Sequence, residues 1–193
     1  LLFCGQNDGS VYFRANGETV AQSTSGSGNR RLCVNDPSGE KSDWAVAEII
    51  TWDRALSLDE IIEAEAHLSD KFSLAPTPEP TVSSVPTASA VPTTFHPTML
   101  PTYSFGKAYA HYTYDSWDAS TNTWYDTSGN DFHSNVATGT VAAVSETASG
   151  GLNYLSGGTS DSICLSDSYI IASTFTICSL SKYTSTDNRN RII

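Results

Sequence analysis

The sequence predicts a mainly β chain, an antiparallel sandwich carrying one short helix, and three observations lead there. Short runs rich in Val, Ile, Tyr and Phe recur between Gly, Asn, Asp and Ser punctuation, the pattern of many short strands joined by turns. Helical periodicity with a start signal occurs in one place, about residues 58–71. A Pro- and Thr-rich stretch over 75–105 separates two regions of globular composition.

The 193 residues are 39% apolar, enough for a core, in either one large domain or two small ones. Twenty-one acidic against 10 basic residues give a formal charge of −11. That balance repels nucleic acid and anionic membrane surfaces, so neither is an expected partner. No apolar run approaches the ~20 residues needed to cross a bilayer. No charged-then-apolar leader opens the chain, and Arg191-Ile192-Ile193 reads as the middle of a strand. Both ends therefore read as cuts through a longer polypeptide.

The elements follow in order. Residues 10–15 have strand composition and run into Asn16-Gly17, a hairpin-turn dipeptide, with 18–22 as the returning strand. Residues 23–29 are Ser/Gly-rich and read as a loop. A short strand over 31–34 precedes a turn at 35–39. Residues 44–52 alternate imperfectly, with bulk on both sides, as a central strand does. Ser57 and Glu60 form a capping box, each side chain satisfying an otherwise unpaired amide at the helix start. Ile61, Ile62, Leu68 and Phe72 then recur on one face of a helix of about three turns.

Between 75 and 105 the character changes. Seven of the eight prolines fall here, and proline fixes φ and removes a donor, so neither helix nor central strand forms. An extended polyproline conformation would reach about 95 Å at ~3.1 Å per residue. The plain reading is a spacer. In a secreted chain the same composition favours an O-glycosylated stalk, with candidates at Pro76-Thr77, Pro80-Thr81, Pro86-Thr87, Pro92-Thr93-Thr94, Pro97-Thr98 and Pro101-Thr102. No Asn-x-Ser/Thr sequon occurs, so N-glycans are not expected. From Lys107 strand composition returns, at 109–114, 153–155, 162–165 and 175–180. Turns are expected at 115–120 and 126–130.

The four cysteines, Cys4, Cys33, Cys164 and Cys178, sit in strand-like settings without Cys-x-x-Cys or a nearby His. Zinc is disfavoured by that spacing, and two disulfides in an oxidising compartment are expected. Spacing alone leaves all three connectivities open.

Two stretches resemble a known family. "SDWAVAEIITWDRALSLDEIIEAEAHLSDKF" (42–72) resembles the closing strand and helix of laminin-G-like and pentraxin domains, which have the concanavalin A-like jelly-roll fold. "WYDTSGNDFHSNVATG" (124–139), with "GLNYLSGGTSDSICLS" and "STFTICSLSKYTS" after it, resembles the opening of the same domain. The ending thus precedes the linker and the beginning follows it. On this resemblance residues 1–74 are the C-terminal half of one such sandwich, 75–105 a linker and 106–193 the N-terminal half of the next. About 30–40 residues, the middle of the domain, would be missing between Ile193 and the equivalent of Leu1 in the next unit. A tandem array sampled out of phase is preferred; a circularly permuted single domain is the alternative. The resemblance also implies a pairing of Cys178 with a cysteine at the position of Cys4, just before "GSVYFRANG", leaving Cys33 with Cys164. In an array, Cys4 and Cys178 would then each bond to an adjoining repeat or chain.

Relatives of this kind hold Ca²⁺ with loop oxygens, which makes Asn35 and Asp36, and the acidic turn residues Asp115, Asp118 and Asp126, calcium candidates. The same residue types are ordinary turn formers. No other cofactor is expected. Glycosidases share the fold and need two carboxylates about 5–9 Å apart, but the Glu-x-Asp-x-x-Glu pattern of the laminarinase-type relatives is absent. His67, His96, His111 and His133 stand isolated, and no triad or nucleotide-binding motif appears. Trp117, Trp124 and the tyrosines of 109–125 could stack on sugars, although core packing is the commoner fate of such rings. The expectation is a non-catalytic, secreted or cell-surface structural glycoprotein. It would be the repeat unit of a filament, hair or matrix fibre, with copies of itself as partners. A carbohydrate-binding adhesin with flexible tandem modules is the alternative.

Overall fold

The computed structural model describes residues 1–8, 12–22, 28–35, 41–72, 106–134, 136–146, 151–165 and 170–184. Asp36, the whole 75–105 linker with its glycosylation candidates, and the strand expected at 191–193 lie outside the described residues, as does most of the loop expected at 23–29.

Thirteen antiparallel strands and one α-helix are described: β1 (Leu2–Gln6), β2 (Tyr12–Ala15), β3 (Glu18–Gln22), β4 (Leu32–Val34), β5 (Trp44–Trp52), α1 (Leu58–Lys71), β6 (Ala110–Thr113), β7 (Trp117–Asp118), β8 (Thr123–Trp124), β9 (Val136–Thr138), β10 (Ala142–Ser145), β11 (Asn153–Gly157), β12 (Ser162–Leu165) and β13 (Thr176–Tyr183). A single 3₁₀ turn spans Tyr114–Ser116. The fold is mainly β, as expected. The large sheet runs β10-β11-β5-β13-β1-β2-β3, with β6 also paired to β5. A three-stranded sheet, β4-β12-β9, and a β7-β8 pair complete the set.

The hairpin turn falls where Asn16-Gly17 places it, because both residues adopt positive φ, 50° and 83°, a conformation Asn and Gly tolerate. The Asn16 backbone amide donates to the Leu2 carbonyl at 2.8 Å, and its side-chain Oδ1 accepts from the Leu2 amide at 3.1 Å. This fastens the turn to β1.

All nine residues of β5 are buried, as its imperfect alternation suggests. The imperfection has a specific cause. Opposite β13, Leu180 faces Glu48 and Ser181 faces Val46, so Ala47 is an extra residue, a bulge. A bulge shifts the two-residue alternation by one. Trp44, Val46 and Ile49 therefore join a core shared with Leu32, Val34, Ile163 and Leu165 of the small sheet. Ala47, Ile50 and Trp52 instead join a core beneath α1, with Ile61, Ala64 and Leu68. The large sheet is thus the middle of three layers, with the small sheet on one face and the helix on the other.

In α1 the capping box is present: Ser57 Oγ accepts from the Glu60 amide at 3.2 Å, and the Ser57 amide donates to Glu60 Oε2 at 2.8 Å. With 14 residues it makes nearly four turns, at about 3.6 residues each. Ile61 and Leu68 face the core, but the neighbouring Ile62 points largely outward, since successive helical residues lie about 100° apart.

Two of the three sheets take strands from both sides of the Pro-Thr stretch. β13 lies between β5 and β1, β11 and β6 share the other edge of β5, and β12 pairs with β4. Two disulfides cross the same divide. Cys4 bonds Cys178, its directly opposed partner in the β1–β13 ladder, and Cys33 bonds Cys164, its directly opposed partner in β4–β12. The sequence reading sends Cys4 and Cys178 to adjoining units; here both bonds close within one chain.

Candidate functional site

Where β5, β6 and α1 meet, an ionisable group stands in the core. The bulge at Ala47 turns Glu48 toward the helix, and its side chain is 0% exposed. Lys71 Nζ, from the last turn of α1, donates to Glu48 Oε2 at 2.6 Å. His111 Nε2, on β6, lies 2.6 Å from Oε1, and His67 Nε2, one helical turn before Lys71, lies 3.7 Å from the same oxygen. Burial pushes the Glu48 carboxyl pKa up, but hydrogen bonds from His111, His67 and Lys71 outweigh it and hold the group well below the usual carboxylate range. The three partners keep partial access to water, with side chains 25%, 23% and 39% exposed. This is a buried anion approached from three directions, with Lys71 as its countercharge, and it pins the helix to the sheet.

A carboxylate–histidine contact also serves acid–base chemistry when a nucleophile stands beyond the ring. No cysteine supplies one, because all four are in disulfides. Sequence reasoning took His67 and His111 as isolated and residues 44–52, which include Glu48, only as a central strand. The structure brings all three together with Lys71. The legible signals were a lone Glu inside an apolar strand and a His-Lys pair four residues apart on a helix.

The calcium candidates occupy separate settings. Asn35 is buried at positive φ, 55°. Its amide nitrogen donates to the carbonyls of Asp161, Gly158 and Thr159, and its Oδ1 accepts from the Ser42 amide at 2.7 Å. It therefore braces the loop between β11 and β12. Asp115 is exposed on the 3₁₀ turn, and Asp118 Oδ1 accepts from the amide and hydroxyl of Ser120. Asp126 is buried, and its Oδ1 accepts from the His111 and Ser128 amides, its Oδ2 from the Phe132 amide and the Ser128 hydroxyl. Those four bonds use about as many lone-pair sites as a carboxylate has. Burial raises the Asp126 pKa, and these bonds lower it further than burial raises it. Among the described residues no group of three or more His, Cys, Asp or Glu side chains is arranged to hold a metal ion.

Most of the aromatic candidates pack inside. Trp124 and Tyr112 are fully buried, with ring centres 5.5 Å apart. Trp124 Nε1 donates to the Thr113 carbonyl at 2.7 Å, and the Tyr112 hydroxyl donates to the Phe132 carbonyl. Tyr114 and Trp117 pack against the same core. Tyr125 is exposed, edge-on to His133 at 4.9 Å between ring centres.

No helix among the described residues is long and apolar enough to cross a membrane. Two disulfides fit an oxidising, extracellular setting. Comparison of the chain with protein-family models, with curated proteins and with solved structures finds no match in any of the three.

Proposed function

We propose that this chain is a non-catalytic structural glycoprotein of the cell exterior, built on a laminin-G-like jelly-roll sandwich. In this reading it is the repeat unit of a surface filament, hair or matrix fibre, with copies of itself as partners and glycans on the Pro-Thr stretch. One observation carries it. β13 fills the slot between β5 and β1 and is bonded to β1 through Cys4–Cys178, two cysteines separated by 174 positions. A strand that arrives after the Pro- and Thr-rich stretch of 75–105 can close its own sandwich or the corresponding slot of a neighbour, in the same register. Exchange between copies would join them through the sheet and through both disulfides, and an intermolecular disulfide is what a load-bearing fibre needs.

The test is to examine the native assembly by electron microscopy and to run it on gels with and without reductant. Filaments that give a ladder of disulfide-linked species, collapsing to one band on reduction, are the expected result. Monomers alone, with Cys4–Cys178 mapped within each chain, would sink the filament reading. A second reading, a carbohydrate-binding module, is favoured by the exposed Tyr125–His133 pair. Loss of glycan binding on Tyr125→Ala would support it.

A further inference from the structure

The two disulfides stand in different surroundings. Cys4 and Cys178 are both 0% exposed and belong to the core beneath α1, together with Leu2, Ile50 and Leu180. Cys33 and Cys164 lie in the small sheet, and their neighbours show which way they point. Leu32 and Val34 on β4, and Ile163 and Leu165 on β12, are buried in the core shared with the large sheet. Successive side chains of a strand point to opposite faces. Cys33, between Leu32 and Val34, and Cys164, between Ile163 and Leu165, therefore stand on the outer face of the small sheet. Both are partly exposed, and β4 is an edge strand of that sheet among the described residues.

A disulfide is opened by a thiolate that reaches one of its sulfurs, so access governs the rate. The chain supplies no such thiolate itself, because all four of its cysteines are bonded. An external thiol meets the Cys33–Cys164 bond on the surface of the folded chain, whereas Cys4–Cys178 becomes accessible only on unfolding. The fold is also placed to survive loss of the surface bond. Cys4 and Cys178, 174 positions apart, enclose Cys33 and Cys164, 131 positions apart. With Cys4–Cys178 intact, loop closure still restricts the unfolded chain over that whole interval.

We propose that Cys33–Cys164 is a thiol-exchange site, which takes a small-molecule thiol of the glutathione class while the sandwich stays folded. The incoming thiolate bonds one of the two sulfurs. The Cys33–Cys164 bond breaks, and its electron pair leaves on the other sulfur, which then takes a proton from water. One disulfide is traded for another, with no net oxidation. The released cysteine is a free thiol in a chain that otherwise has none, able to attack a disulfide of a second molecule. The site does not rest on the filament reading, since both bonds close within one chain.

The experiment incubates the full, oxidised chain with reduced glutathione at about pH 8, where a thiol is partly thiolate. Samples are quenched with an alkylating reagent over time, and both bonds are mapped by mass spectrometry, in native buffer and in denaturant. In native buffer, glutathione or the alkyl group should appear on Cys33 and Cys164 at least about tenfold faster than on Cys4 and Cys178. Tryptophan fluorescence should stay native throughout, and in denaturant the two bonds should open at similar rates. The double variant Cys33→Ser, Cys164→Ser should take up no glutathione in native buffer. Its misfolding would leave the wild-type comparison decisive. Equal opening of the two bonds in native buffer, earlier opening of Cys4–Cys178, loss of the native fluorescence as Cys33–Cys164 opens, or a native chain inert to glutathione would each overturn the proposal.

Discussion

The two faces of the large sheet are packed in different ways. Toward the small sheet the core is filled by large side chains, Trp44, Trp124, Tyr112, Ile49, Leu155 and Ile163, all fully buried. Two of its ring donors find backbone acceptors: Trp44 Nε1 donates to the Asp161 carbonyl at 2.8 Å and Trp124 Nε1 to the Thr113 carbonyl at 2.7 Å, whereas the buried Trp117 Nε1 has no partner among the described residues. Toward α1 the core combines Trp52, Ile50, Leu56, Ile61 and Leu68 with the small residues Ala47 and Ala64. That side also holds the Glu48 cluster and the Arg14–Glu65 pair. One face specifies the fold by close packing. The other adds charge pairs that position the helix on the sheet.

The contrast can be broken most sharply on the packed face. Trp124→Ala should cost about 3–5 kcal/mol, from lost transfer energy plus the cavity left behind. A loss below about 2 kcal/mol in denaturant titration would mean that this core collapses around the gap and is not tightly specified.

On the helix face the largest expected effect is electrostatic. Glu48→Gln keeps the shape and removes the charge, and should cost about 1–3 kcal/mol at neutral pH. The cost stays below that of a fully buried orphan because Lys71 and the two histidines reach water. The sign with pH follows from the shift. The carboxyl sits lower in the folded chain than its ordinary value of 4.5, so its stabilisation is fully present above about pH 5 and falls as acid titrates toward the folded value. The stability gap between wild type and Glu48→Gln should therefore shrink as pH drops from about 5 to about 2. A constant gap would place the effect in packing instead of charge.

Smallest is the helix start. Ser57→Ala removes one half of the capping box and should cost about 1 kcal/mol, seen as a small drop in midpoint. Glu60, whose carboxyl is held at about 2 by Arg54 and by the Ser57 amide, would keep its Arg54 contact at 2.7 Å.

Local features were legible in the sequence wherever a local rule sets them. Asn16-Gly17 names its turn, Ser57–Glu60 names the helix start, and the bulk on both sides of 44–52 names a strand buried on both faces. The bulge at Ala47 was not legible, since its signature, a broken alternation, is also that of a plain central strand. β10 escaped notice because it lies on the sheet edge and is mostly exposed, so no apolar alternation marks it. The Glu48 cluster was hidden for a different reason. Its members, at 48, 67, 71 and 111, come from both sides of the Pro-Thr stretch, and a reading that assigns those sides to different sandwiches cannot join them. Resemblance alone proposed the Cys4–Cys178 register.

The position of β13 has a kinetic consequence. It is the last strand described, yet it is the neighbour of β1, the first, and of β5. A chain synthesised from its N-terminus would hold β1 to β3 and β5 with an unfilled slot until residues 176–183 appear. Such non-local pairing folds slowly, and an open strand edge invites pairing with another chain during that interval. Local chain concentration during synthesis would then help decide whose slot each β13 fills.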